Sequence, residues 1–218
     1  MNKQAIIILA VAVGAMLLIF DLGSRWYKTQ RTDEIVETTM ENPATLVPRH
    51  AMTLGSEDAR VTIVEFFDPA CETCAAFAAP VDQLMRTHSG RIRLVLRYAP
   101  FHEGSEEIVK ILEATRKQNK YWETRSLLFS TQSLWASHHD PRPELVWELL
   151  PQAGVDVEQV RADILSPELD LIIQQDLADA EALGVRKTPS YFVNGRPLPS
   201  FGLRQLRELV ESEITAKY

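Results

Sequence analysis

A strand-forming run that feeds straight into a cysteine pair constrains this chain more than any other feature. Val61-Thr62-Ile63-Val64-Glu65-Phe66-Phe67 is β-branched and aromatic, and Asp68-Pro69 ends it. Cys71-Glu72-Thr73-Cys74 follows at once. From there to about Thr87 the spacing turns helical, with Phe77, Val81, Leu84 and Met85 recurring every three or four residues. Pro80 falls inside that helix and Gly90 stops it. The motif holds the only two cysteines among 218 residues. A chain with no other thiol has no disulfide framework to build, so the pair reads as chemistry. Two thiols one turn apart at a helix start can close a ring, open it, and pass the disulfide to another protein.

The length allows one ordinary domain with additions, and 45% hydrophobic content supplies a core. The net charge of −7, without a basic stripe, argues against a nucleic-acid partner. Residues 1–22 stand apart. Ala5 to Phe20 is an uninterrupted apolar run of 16 residues behind Lys3, ~24 Å as a helix. No good small-residue cleavage site follows, so the segment is expected to be a signal-anchor that holds the protein to a membrane through residues 5–20. Arg25, Lys28 and Arg31 behind it count against export by the basic-residue rule. Large domains nevertheless cross largely regardless of charge. The expectation is a single-pass protein of a bacterial inner membrane, its folded part facing the periplasm or cell exterior. Residues 23–50, polar and punctuated by Pro43 and Pro48, read as a tether with a flexible reach of ~30 Å.

The folded part is expected from 51 to 218. After the first strand and helix, Arg91–Tyr98 alternates Ile92, Leu94 and Leu96 with arginines and reads as a second strand. From about 104 to 184 helical patterns dominate: 106–119, 121–129, 143–152, 157–165 and 169–183. Two short strands, Ser190–Val193 and 196–198, flank Asn194-Gly195, a strong hairpin signal, and 202–215 closes as a helix. The fold class is therefore α/β: a central mixed sheet flanked by helices, with an all-helical insertion.

In this order the chain resembles the DsbA-like family of thioredoxin-fold thiol–disulfide oxidoreductases over residues 51–218. Four features carry the likeness. The C-x-x-C follows a strand and opens a helix. Glu65 lies six positions before Cys71, where the superfamily has a buried acid. Thr188-Pro189 precedes a strand, as in the family's cis-proline loop. A helical insertion separates the two halves. The intervening dipeptide departs from the family's strong oxidant, being Glu72-Thr73 rather than Pro-His.

The resemblance implies that a redox-active disulfide, with no bound cofactor, does the work. Cys71 is expected to be the exposed nucleophile, since a helix N-terminus stabilises a thiolate. Cys74, one turn on, would resolve the mixed disulfide. Glu65 would accept the Cys74 proton. Periodicity leaves its direction open, because Val64 and Phe66 make the second face of the strand apolar as well. Pro189 would be cis against the disulfide, exposing the Thr188 backbone to a substrate peptide. Glu72 beside Cys71, with neutral Thr73 next, is expected to tune the thiol against ionisation and make the disulfide less oxidising by tens of millivolts. Implied partners are cysteine-containing exported proteins and a membrane redox partner: a DsbB-type oxidant, or a DsbD-type reductant for the opposite direction, with the oxidase preferred.

Other readings of the pair remain. Zinc would need two more ligands from His50, His88, His102, His138 and His139, none at finger spacing. A Cu(I) carrier could use the two thiols alone, and a peptide-binding or assembly factor would not need them. Trp135 and His138-His139 are expected in a solvated loop of the insertion.

Overall fold

The computed structural model describes residues 2–41, 43–137 and 140–218, with the side chains of 5–11, 28, 40 and 41 outside that description. Its centre is a five-stranded mixed sheet in the order β1-β3-β2-β4-β5. The strands are β1 (Met52–Gly55), β2 (Val61–Phe67), β3 (Ile92–Tyr98), β4 (Ser190–Val193) and β5 (Arg196–Pro197). β2 runs parallel to β3 and antiparallel to β4, while β1 and β5 add antiparallel edges. The parallel pair is joined through α2 (Glu72–Thr87), the crossover that parallel strands require. β1 has no counterpart in the sequence reading: it is four residues long and half exposed, too short to show a period.

β2 is buried on both faces, which is why it reads as a nearly continuous apolar run. One face carries Val61, Ile63 and Phe67 into a core with α2, the C-terminal helix α9 (Leu203–Lys217) and the insertion. The other carries Val64 and Phe66 into a second core with Ile35, Leu46, Ala180 and Leu183. Glu65 alternates with the first set, so it points at the face that α2 covers. The insertion holds α3 (Ser105–Arg116), α4 (Tyr121–Ser130), α5 (Gln132–Trp135), α6 (Pro143–Leu149), α7 (Val157–Asp163) and α8 (Pro167–Ala182). Proline at the first position starts both α6 and α8, where its missing N–H costs nothing. Trp135 is not in a solvated loop: it is fully buried in α5, its Nε1–H donating to Leu128 O at 3.0 Å. His138 and His139 lie outside the described residues.

The N-terminal expectation is overturned. α1 runs unbroken from Lys3 to Glu41, through the expected anchor and on into the expected tether as far as residue 41. No helix among the described residues is long and apolar enough to cross a membrane. The physical reason lies in length and composition. A span needs about 20 apolar residues, and the run here stops at 16 before Asp21 and Arg25, which pair at 2.9 Å one turn apart on α1. The single-pass placement in an inner membrane therefore falls. No proline occurs before Pro43 to interrupt the helix, so 23–41 is rod rather than flexible chain.

The end of α1 is part of the folded body, which begins before residue 51. Ile35 and Leu46 enter the second core, and the Thr39 hydroxyl reaches Gly195 O at 3.3 Å. Asn194 and Gly195 have φ of 48° and 83°, the left-handed pair a tight hairpin turn demands, and a Cβ on Gly195 would meet Thr39 Oγ1 at 2.9 Å.

A buried charge cluster ties these parts to the sheet. Arg97 on β3 is fully buried; its Nε donates to Asp176 at 2.9 Å, its Nη2 to Asp179 at 2.6 Å and its Nη1 to Thr45 O at 2.5 Å. Asp176 also accepts from Tyr98 N at 2.7 Å and lies 2.6 Å from His50 Nε2. Removing one partner would strand a guanidinium that cannot deprotonate. Asp176→Ala is thus expected to cost about 3–5 kcal/mol and lower the midpoint of thermal unfolding by on the order of 10 °C. A calorimetric change below about 1 kcal/mol would show that the cluster is not holding α8 to the sheet.

Candidate active site

The turn from β2 into α2 is organised around Asp68. Its buried carboxylate accepts from Ala70 N, Phe101 N and His102 N at 2.8, 2.8 and 3.0 Å, and from the Ser105 hydroxyl at 2.7 Å, with His102 Nδ1 also at 2.7 Å. The loops after β2 and β3 are thereby locked together beneath the cysteine motif. From the insertion, Gln132 Nε2 donates to Pro69 O at 2.8 Å and to Cys71 O at 3.1 Å. Cys71 then sits at the N-cap of α2 with extended backbone, and Cys74 lies inside the first turn.

Both cysteines are free thiols here, and both are buried, Cys71 at 6% exposure, so the nucleophile expected to be exposed is covered by its surroundings. Their environments differ sharply. Cys71 is lowered from 9.0 to about 5, first by the hydrogen bond from the Cys74 thiol, against the cost of burial, and further by the Thr188 side chain and by the N–H groups of Cys74 and Thr73. Cys74 is pushed far up, chiefly by burial in the core, then by its hydrogen bond to Cys71 and by the Glu65 and Cys71 charges. Glu72 and Thr73 both face water. The Glu72 carboxylate is not among the leading influences on Cys71, which are contacts at the sulfur itself.

The Thr188–Pro189 peptide bond is cis. It places Thr188 O 3.3 Å from Cys71 Sγ, as acceptor of the thiol proton, and Pro189 is buried just before β4. The loop expected to flank the motif is therefore in contact with it.

Glu65 is fully buried. Its Oε1 accepts from the Tyr191 hydroxyl at 3.0 Å, and its Oε2 lies 3.7 Å from Arg125 Nη2 on α4. Burial raises its pKa, and the Arg125 charge followed by the Tyr191 hydrogen bond pulls it back. The same burial, with Glu65 beside it, holds the Tyr191 hydroxyl protonated. Phe201 stacks on Phe77 at 5.0 Å between centroids, and Phe77 on Tyr191 at 6.0 Å, so a ladder of rings runs from the surface to the residue that holds Glu65.

The structure thus gathers Cys71, Cys74, Thr188 and Pro189, with Glu65 beneath them. The sequence reading missed Tyr191, Arg125, Gln132 and the binding role of Asp68. Tyr191 stands directly opposite Glu65 in the β2–β4 pairing, but register between strands 126 residues apart is invisible in the chain. Arg125 looked like any helix arginine, because nothing local marks which face of α4 is dry.

A family model described as "Thioredoxin" matches residues 49–212. A thioredoxin-like oxidoreductase of Silicibacter pomeroyi superposes with a TM-score of 0.70 at 31% identity, covering 78% of this chain and 96% of that one. The thiol-disulfide exchange protein alpha-DsbA2 of Wolbachia pipientis superposes at 0.71 with 20% identity, over 84% and 97%. A curated relative, a protein of Herminiimonas arsenicoxydans named as a Na(+)/H(+) antiporter NhaA, is 32% identical over 72% of this chain, but the chain spans only 25% of that protein's length. The chain belongs to the thioredoxin family.

The assignment of Cys71 acidity to the neighbouring thiol is testable. In the reduced protein the rate of alkylation by iodoacetamide should rise with a midpoint near pH 5. Cys74→Ala should move that midpoint up, and Cys74→Ser, which keeps a hydroxyl donor, should move it less. An unmoved midpoint in Cys74→Ala would remove the Cys74 hydrogen bond as the main cause.

Proposed function

We propose that this chain is a disulfide donor: its oxidised Cys71–Cys74 pair oxidises cysteines of exported proteins. The observation that carries the reading is the split between the two buried thiols, one made acidic by its hydrogen-bond partners, the other held protonated. Stabilising the Cys71 thiolate stabilises the reduced form, and an oxidant is a disulfide whose reduced form is favoured.

The reaction runs in two displacements. A client thiolate attacks Cys71 Sγ of the disulfide; the Cys71–Cys74 bond breaks, and Cys74 leaves as a thiolate that takes a proton from Glu65. A second client thiolate then attacks the client sulfur of the mixed disulfide. The client disulfide forms, and Cys71 leaves as the thiolate its surroundings favour. The client has lost two electrons and the pair has gained them. Thr188, beside Cys71 and next to the cis bond, offers its backbone to the client peptide. Recharging reverses the flow and fits a quinone-linked membrane oxidant of the DsbB type; a DsbD-type reductant would serve the opposite direction.

The sign of the pH dependence follows from Cys71. Its depressed pKa favours the reduced form fully above about 9, and the advantage is lost as pH falls through about 5. The reduction potential of the full chain should therefore fall by ~30 mV per pH unit between those limits, where one proton accompanies two electrons, and by ~59 mV below them. At pH 7 it should lie nearer the ~−120 mV of a strong oxidant than the ~−270 mV of thioredoxin. A value at the thioredoxin end would turn the protein into a reductant.

Two other classes are separated by simple assays. Cys71→Ala with Cys74→Ala should abolish oxidation of a reduced, unfolded client; retained function in that variant would make the chain an assembly factor. Stoichiometric Cu(I) uptake by the reduced protein that blocks its thiol exchange would favour a metal carrier.

A further inference from the structure

The helical insertion does more than cover the sheet. Arg125, on its second helix, is buried at 4% exposure, with its guanidinium carbon 4.9, 5.8 and 5.9 Å from the ring centroids of Phe129, Phe67 and Trp122. Its Nε and Nη2 have no hydrogen-bond partner, and neither does Glu65 Oε2, the oxygen that faces it at 3.7 Å. A guanidinium cannot shed its proton to escape burial. Aromatic faces offset only part of its charge, about 0.5–2 kcal/mol each at best. Among the described residues Arg125 pairs with Glu65. Each charge is therefore the other's compensation in a dry site, and the carboxylate belongs to the thiol centre.

We propose that Arg125 is a positioning residue for the thiol reaction, carried in from the insertion to hold the Glu65 carboxylate ready to exchange a proton with Cys74. The proposal rests on the reading of Glu65 as the proton partner of the buried thiol. In the recharging direction Cys71 thiolate attacks the oxidant's disulfide, and Cys74 passes its proton to Glu65. Cys74 thiolate then attacks Cys71 Sγ, the internal disulfide forms and the oxidant's thiolate departs. The carboxylate must be ionised to take that proton. Burial works against this, and the groups that face Glu65 have opposite effects: Arg125 from α4 and the Tyr191 hydroxyl from β4 favour the ion, whereas Asp82 and Cys71 from α2 oppose it. Cys74, also on α2, is held protonated in part by the Glu65 charge. Arg125 is the one full positive charge in this set.

Arg125 also lines a cleft of about 640 Å³ between α2 and α4, with Asp82, Ala78, Trp122 and Phe129 on its walls.

The test is the pH profile of Cys74 attack, followed by stopped-flow release of a chromophoric thiolate from the Cys71 mixed disulfide in the full chain. Wild type should show a midpoint set by Glu65. Arg125→Met and Arg125→Gln, which remove the charge, should shift it upward by about 1–3 pH units and slow release tenfold or more at pH 7. Arg125→Lys should keep it within about one unit of wild type. The two neutral variants differ in polarity, so the one that retains a cooperative thermal transition carries the test. The Lys variant carries it should both fail to fold, because a Lys profile displaced by more than the stated unit overturns the charge account. An unshifted midpoint in a folded neutral variant overturns the proposal while leaving Glu65 in its role. If Glu65→Gln keeps the wild-type profile, the reading of Glu65 fails first, and with it this proposal.

Discussion

A carboxylate on the buried face of the central strand is the constraint around which the rest is built. β2 has both faces covered, one by α2 and the insertion, the other by α8 and the end of α1. Glu65 sits in the middle of it, fully buried. A lone ionised carboxylate in such a place is prohibitive, so it must be hydrogen-bonded, paired or neutral. The protein supplies one hydroxyl from the neighbouring strand and one guanidinium from a helix 60 residues away along the chain. Neither is redundant, since each takes a different oxygen. Burial raises the pKa of the acid while these two partners pull it back, opposing influences of the kind found where a carboxylate exchanges protons.

The thiol pair uses the same physics with the opposite outcome at each sulfur. Cys71 lies at a helix start where N–H groups and the Cys74 thiol converge, and these outweigh its burial. Cys74 is one turn deeper, where a backbone hydrogen bond at Asp68 is outweighed by burial and by two negative groups close by. A single helix turn therefore separates a good leaving thiolate from a thiol that ionises only when a base takes its proton. The dipeptide between them is exposed and stands outside these contacts, so the acidity of Cys71 owes more to the sulfur's immediate partners than to Glu72.

Two further polar clusters keep this geometry rigid. Asp68 joins the loops after β2 and β3 under the motif, and the Arg97 cluster ties β3 to α8 and to residues 45–50. Both are buried and well satisfied, which is the condition under which polar groups inside a core specify one arrangement. They also explain why the insertion behaves as part of the domain. Its helices contribute Gln132 to the motif's backbone, Arg125 to the acid, and Asp176 and Asp179 to the sheet.

Much of this was readable along the chain. The bounds of β2 and β4 follow from β-branched runs with clear stops, the Asn194-Gly195 turn from its dipeptide, and the C-x-x-C from its position between strand and helix. Amphipathic periods located five of the six described helices of the insertion to within a few residues; α5, a single turn, left no period to read. What failed was reading beyond local range. A 16-residue apolar run looked like an anchor, yet it continues into a single rod that ends on the sheet. Trp135 looked solvated, yet its ring is fully enclosed. The sequence by itself determined which residues carry the sulfur chemistry and which elements present them, because those depend on spacing of a few residues. Only the tertiary structure decided which way Glu65 points and which charge meets it. Register and helix rotation are set by packing between segments far apart in the chain, and two apolar faces on one strand leave no local period to tell them apart.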